Sequence, residues 1–208
     1  MRFIKEMTKK TKILAIGDIH GDTGLVKRLA EKAVKENVDL IILAGDITFA
    51  EQSTKNLVGP FLKAKKPILL IPGNHESVAT ANFFAEMYPG TKNIHGYSFL
   101  RYDLGIFGAG GGDVMNVTPD KEIFSLLKQG HETIKDSPKQ IMVTHMHPKG
   151  GKAEFSGFEG SKAVKKAIKE FHPDVLITAH IHEAGGIEEQ MGKTRVINVA
   201  RKEKIFEI

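Results

Sequence analysis

Five short apolar runs in this chain end in the same way, and that repetition constrains the fold more than any other feature. Residues 13–16 run into Gly17-Asp18-Ile19-His20, and residues 40–43 run into Ala44-Gly45-Asp46. Residues 68–71 lead to Pro72-Gly73-Asn74-His75, 141–143 to Thr144-His145, and 175–177 to Thr178-Ala179-His180-Ile181-His182. Short unbroken apolar runs bounded by glycine or proline read as strands buried on both faces. Each of these strands delivers Asp, Asn or His at its carboxyl end. In open α/β sheets that edge is where ligands bind.

Between the strands the apolar spacing changes period. Residues 23–36 carry Leu25, Leu29 and Ala33 at intervals of four, the mark of an amphipathic helix. A weaker helix is expected over 52–64, with Leu57, Phe61 and Leu62 as its apolar face and Pro60 near its boundary. A short helix over 79–87 ends at Pro89-Gly90. Residues 97–102 and 104–109 read as a hairpin around Asp103, closed by the turn Gly110-Gly111-Gly112. Helices are expected over 119–135 and 161–171, the second capped by Ser161. They flank a strand over 140–144 and a glycine-rich loop over 146–160. A strand over 174–178 precedes an antiparallel tail with strands over 186–190, 194–199 and 204–208. The pattern predicts two sheets packed face to face, helices outside each, in one domain spanning 1–208.

Composition removes several function classes. The 208 residues are 41% hydrophobic and 26% charged, which fits a soluble globular protein. The absence of cysteine excludes disulfides, thiolate metal sites and cysteine nucleophiles, and fits a cytoplasmic setting. The basic segment 1–12 leads into an apolar run too short for a signal-peptide core. No stretch approaches the ~18 apolar residues of a membrane span. The net charge is +5, but lysines and acids are interspersed over 27–36 and 162–170. That reads as solvated helix faces and not as a nucleic-acid stripe.

The polar residues at the strand ends suit metal chemistry. Asp18 and His20 are two apart, so in extended chain they point the same way, and His180 and His182 repeat the spacing. The donors are Asp18, His20, Asp46, Asn74, His145, His180 and His182. That is too many for one catalytic ion with an open position, and it suits two ions bridged by Asp46 and a water. Carboxylate and imidazole together favour Mn, Fe, Zn, Co or Ni over Ca or Mg, with manganese the first choice. Two ions ~3.5–4 Å apart can clamp the attacking and leaving oxygens at phosphorus and turn the bridging water into hydroxide.

Taken in order, Asp18-Ile19-His20, Gly45-Asp46, Gly73-Asn74-His75-Glu76, His145 and Ala179-His180-Ile181-His182 resemble the signature of the calcineurin-like metallophosphoesterases. The resemblance implies a four-layer αββα sandwich of two mixed β-sheets flanked by helices. It implies a dinuclear phosphoester hydrolase, a phosphodiesterase or phosphatase acting on a small phosphoester. Asp18, His20, Asp46 and His182 would hold one metal, and Asp46, Asn74, His145 and His180 the other. His75 would be the catalytic residue beside the phosphate, as acid for the leaving group or as stabiliser of the transition state. Two positions depart from the pattern. Phe49 stands where many members carry an Asp that orients the motif His, leaving Asp22, Glu51 or Glu76 to take that role. Ala179 stands where Gly is usual. The alternatives are a nuclease with the same site, for which 208 residues leave little room to grip DNA, and a non-catalytic metal-binding scaffold. Of the remaining histidines, His147 could face substrate or solvent, and His95, His131 and His172 read as structural. Lys149 and Lys152 read as solvated.

Overall fold

The apolar runs become the inner strands of two sheets. In the computed structural model, which describes residues 10–208, β1 (Lys12–Ile16), β2 (Leu40–Ala44) and β3 (Ile68–Ile71) pair in parallel. The reading of residues 1–12 falls almost wholly outside the described residues. A short strand β4 (Thr91–Asn93) extends this sheet beyond β3. The second sheet contains β5 (Ser98–Arg101), β6 (Leu104–Ala109), β7 (Lys139–Thr144), β8 (Val175–Thr178), β9 (Glu188–Met191) and β10 (Thr194–Asn198). The last strand, β11 (Lys204–Glu207), returns antiparallel to β1. The orders are β11-β1-β2-β3-β4 and β5-β6-β7-β8-β10-β9.

Side-chain alternation sorts each strand between two layers. Ile13, Ile42 and Ile71 point into the space between the sheets, where they meet Ile106, Val143 and Ile177. Leu14, Ile41 and Leu43 point the other way, under Leu25, Leu29 and Ala33 of α1 (Thr23–Lys35). Phe84 of α2 (Val78–Met87) completes that outer layer. On the second sheet, Phe107, Met142 and Leu176 lie under Ile123 and Leu127 of α3 (Asp120–Glu132) and Val164 and Ile168 of α4 (Lys162–Phe171). The result is the expected four-layer αββα sandwich of mixed sheets. Each fully buried Leu or Ile contributes roughly 1.5–3 kcal/mol.

The structure departs from the sequence reading in four places. The helix over 52–64 shrinks to a 3-10 turn over Gly59–Ala64. Pro60 lies in its first turn, lacks an N–H and disfavours helical backbone at Gly59. Strand β4 went unforeseen because Thr91-Lys92-Asn93 is polar and too short to show a period. The tail is not wholly antiparallel. β10 inserts between β8 and β9 and runs parallel to β8, with Val196 opposite Leu176, whereas β11 leaves for the other sheet. The glycine-rich loop also contains a 3-10 turn over Lys152–Ser156. Among the described residues, no helix is long and apolar enough to cross a membrane.

The carboxyl ends of both sheets open at one edge. The contact that shows it is His145 Nδ1, beyond β7, at 2.9 Å from Ala44 O, at the end of β2.

Candidate metal centre

The backbone at this edge is bent in a way that aims side chains inward. Asp18, His20, Asp46 and His180 all have left-handed backbone, with φ between 49° and 70°. Such conformations are uncommon outside glycine and persist where the surroundings hold them. The surroundings here are hydrogen bonds. Asp18 N–H donates to Gly45 O at 3.0 Å, and His20 N–H to Asp46 O at 2.9 Å. The buried Glu76 carboxylate accepts from Gly73 N–H at 2.9 Å, Thr48 N–H at 3.1 Å and Ile47 N–H at 3.2 Å, joining the loops after β2 and β3. Arg201 donates to the carbonyls of Asp18 and Ile19 at 3.1 and 3.0 Å. A Cβ at Gly73 would overlap Asp46 Oδ1, so only glycine lets these loops approach.

All the donors expected from the sequence converge. Asp18 Oδ1 lies 3.3 Å from His182 Nε2 and 3.6 Å from His20 Nε2, and those two nitrogens are 3.0 Å apart. Asn74 Oδ1 lies 3.1 Å from both His145 Nε2 and His180 Nδ1. Asp46 Oδ2 stands between the two sets, 3.5 Å from His20 Nε2 and 3.5 Å from His145 Nε2. Its other oxygen accepts the His75 N–H at 2.8 Å.

This arrangement fits cations. Asp18 Oδ1 is buried and receives no hydrogen bond from the described residues, a state that is costly for a carboxylate unless a cation faces it. The far nitrogens of two imidazoles are engaged, which turns the near ones inward. His145 Nδ1 meets Ala44 O, and His180 Nε2 meets Asp113 Oδ1 at 3.1 Å. The electrostatics agree. Burial pushes the Asp18 carboxyl up, but the His182, His20 and His145 imidazoles outweigh it and hold Asp18 well below the usual carboxylate range. Burial pushes His145 down, yet the Asp46 and Asp18 carboxylates raise it to about 10. The centre therefore favours positive charge between its carboxylates.

The family model described as calcineurin-like phosphoesterase matches residues 11–184. The chain belongs to that family. It is thereby a metal-dependent phosphoesterase in the general sense, and the His and Asp groupings described above accord with that dependence. Among solved structures, the protein TT1561 of Thermus thermophilus is 19% identical with a TM-score of 0.77, over 95% of this chain and 99% of that one. A novel archaeal phosphodiesterase is 17% identical with a TM-score of 0.56, over 95% and 99%. A dimetal phosphatase from Danio rerio is 11% identical with a TM-score of 0.62, over 90% and 86%. At these identities the likeness shows the shared fold. Comparison with curated proteins gives no match.

In this calcineurin-like phosphoesterase no carboxylate holds His75 Nδ1. His75 Nδ1 accepts the Ala50 N–H at 3.3 Å, and its ring stacks on Phe49 with centroids 5.1 Å apart. None of the three expected substitutes for the missing Asp reaches it. Glu51 is engaged by Ser77 and Thr80, Asp22 caps α1 through Leu25 N–H, and Glu76 lies beneath the loops. With Nδ1 accepting, Nε2 carries the hydrogen and points toward Asp46 Oδ2, 3.9 Å away. Burial, together with the charges of His20 and His145, lowers the His75 pKa.

The phosphoesterase pocket has a volume of about 250 Å³, with His20, His75 and His180 at its base and Asp113, Val114, Phe158 and Glu183 along its walls. Sequence reasoning missed Asp113 and Glu183. His147 is not part of the lining; its ring is buried and its Nε2 lies 3.3 Å from Phe158 O. His95 and His131 are structural, the latter stacked on Phe171 with centroids 4.4 Å apart, and His172 is the left-handed cap of α4. Lys149 pairs with Glu159.

Proposed function

We propose that the chain hydrolyses small phosphoesters with two divalent ions, one held by Asp18, His20, Asp46 and His182 and the other by Asp46, Asn74, His145 and His180. The observation that carries this reading is Asp46 Oδ2, equally distant at 3.5 Å from a donor nitrogen of each set. The mix of carboxylate, amide and imidazole donors suits manganese first, and iron, zinc, cobalt or nickel as well. When bound, such ions polarise the phosphoryl group and activate a water. The chain's own residues do the rest. The left-handed loops orient the donors, Asp18, Asp46, Asn74 and His145 are buried, and His75 presents Nε2–H to a phosphoryl oxygen. A cytoplasmic setting fits the lack of cysteine.

The experiment is elemental analysis of protein prepared with manganese, alongside phosphodiesterase and phosphatase assays. The parent should carry two ions per chain and turn over, and Asp46→Ala should lose most of both ions. One tightly held ion that survives Asp46→Ala would remove the bridging role. A parent with both ions and no turnover on any ester would make it a non-catalytic scaffold.

A further inference from the structure

We infer that the substrate is a phosphodiester bearing at least one uncharged, apolar, planar group, and not a phosphomonoester or a nucleic-acid strand. The inference rests on the proposed reading of the Asp46-centred site as a phosphoester hydrolase, and it concerns what the pocket walls accept.

The first observation is charge. Among the described residues, no lysine or arginine lines the pocket, and two of its wall residues, Asp113 and Glu183, are acidic. A diester carries one negative charge. A monoester carries close to two near neutral pH, since its second pKa is about 6. The proposed ions would meet the charge on the reacting oxygens, and a second charge would find no further basic side chain in the lining and two acidic ones. Within the pocket, a nucleic-acid strand would likewise find no lysine or arginine for its phosphates.

The second observation is the apolar mouth. Val114 is 51% exposed and Phe158 57% exposed. Both line the same pocket, where exposed apolar side chains offer a surface for an apolar group. Both are carried on tethered backbone. In the loop bearing Val114, Asn116 donates to Asn74 O through N–H at 3.4 Å and Nδ2 at 3.0 Å, and Thr118 N–H closes on Gly112 O at 2.9 Å. Phe158 N–H meets Ser156 Oγ at 3.4 Å, and His147 holds its carbonyl. Apolar side chains held on tethered backbone cost little ordering when a flat group packs against them.

Two measurements test this on manganese-loaded protein of verified metal content. Calorimetry should find diphenyl phosphate bound about tenfold tighter than dimethyl phosphate, and Phe158→Ala should erase most of that gap. Val114→Ser reads the other wall, should Phe158→Ala fail to fold. In turnover, phenyl para-nitrophenyl phosphate should exceed para-nitrophenyl phosphate at least tenfold in kcat/KM, and Glu183→Gln should narrow the difference. Equal binding of the two diesters, or a monoester turned over faster than the diester, would overturn this inference and leave the hydrolase standing. Loss of all turnover despite two bound ions would overturn the hydrolase reading instead.

Discussion

His75 shows how a single side chain can keep its place when its usual partner is missing. It is held from behind by the Ala50 N–H and from the side by the Phe49 ring. A nitrogen that accepts a backbone N–H cannot carry a proton itself, so the ring offers Nε2–H as a hydrogen-bond donor. His75→Ala should therefore keep both ions and lose turnover by ~10²–10³. The loss should be the same for aryl and alkyl leaving groups, because a donor to phosphoryl oxygen does not protonate the departing one. Rates measured across leaving groups, with metal content alongside, check this; a loss that grows with leaving-group pKa would restore the general-acid role. At this scale the sequence was highly legible. Asp18, His20, Asp46, Asn74, His75, His145, His180 and His182 all follow strand ends, and a strand end has a direction that can be read. Asp113, Glu183 and the Phe49 stack were not legible. They come from loops and short turns, where no period says which way a side chain points.

Between β4 and β5 the chain changes sheets within three residues. Ile94 N–H still bonds Leu70 O in the first sheet, and Gly96 N–H already bonds Gly108 O in the second, both at 2.9 Å. His95, between them, accepts the Gly110 N–H on Nδ1 at 2.9 Å. Burial pushes its pKa below the ordinary 6.5, and Glu122 only partly opposes this. Folding thus favours the neutral ring. Between the folded and unfolded values the unfolded chain binds more protons, so stability rises with pH there. The contribution is present above pH 6.5 and is lost as pH falls through the folded value. His95→Gln retains an acceptor and does not titrate. Urea midpoints should show the parent's advantage over His95→Gln shrinking as pH drops below 6.5; a pH-independent difference would remove this role for His95. Elements with a clear apolar period, such as α1 and β1 to β3, were legible. β4 and residues 52–64 were not, because one is polar and the other is interrupted by Gly59-Pro60.

The whole molecule is two sheets that share one site. Asp18, His20, Asp46 and Asn74 follow strands of the first sheet, and His145, His180 and His182 follow strands of the second. A cation held by both sets binds the folded chain and not the unfolded one. Mass action then adds ~2.7 kcal/mol at a hundredfold excess over the dissociation constant. For a chain of this size that is roughly 5–10 °C in Tm. Chelation should lower the melting temperature by about that much, and an unchanged melting curve after verified metal removal would contradict a site spread over both sheets. Two sheets with helices outside were legible from the order of apolar runs and helical periods, and the four-layer sandwich from the family resemblance. The route of β11 was not, because an apolar period does not say which sheet a strand joins. That route has a consequence for the order in which the protein is made. Lys12 pairs with Glu207, and Asp18 receives its clamp from Arg201. β1 leaves the ribosome long before β11 and must wait for it, a pairing of long range and slow kind. On the proposed reading, the ion set that joins Asp18 to His182 therefore assembles late, since Asp18 emerges long before His182.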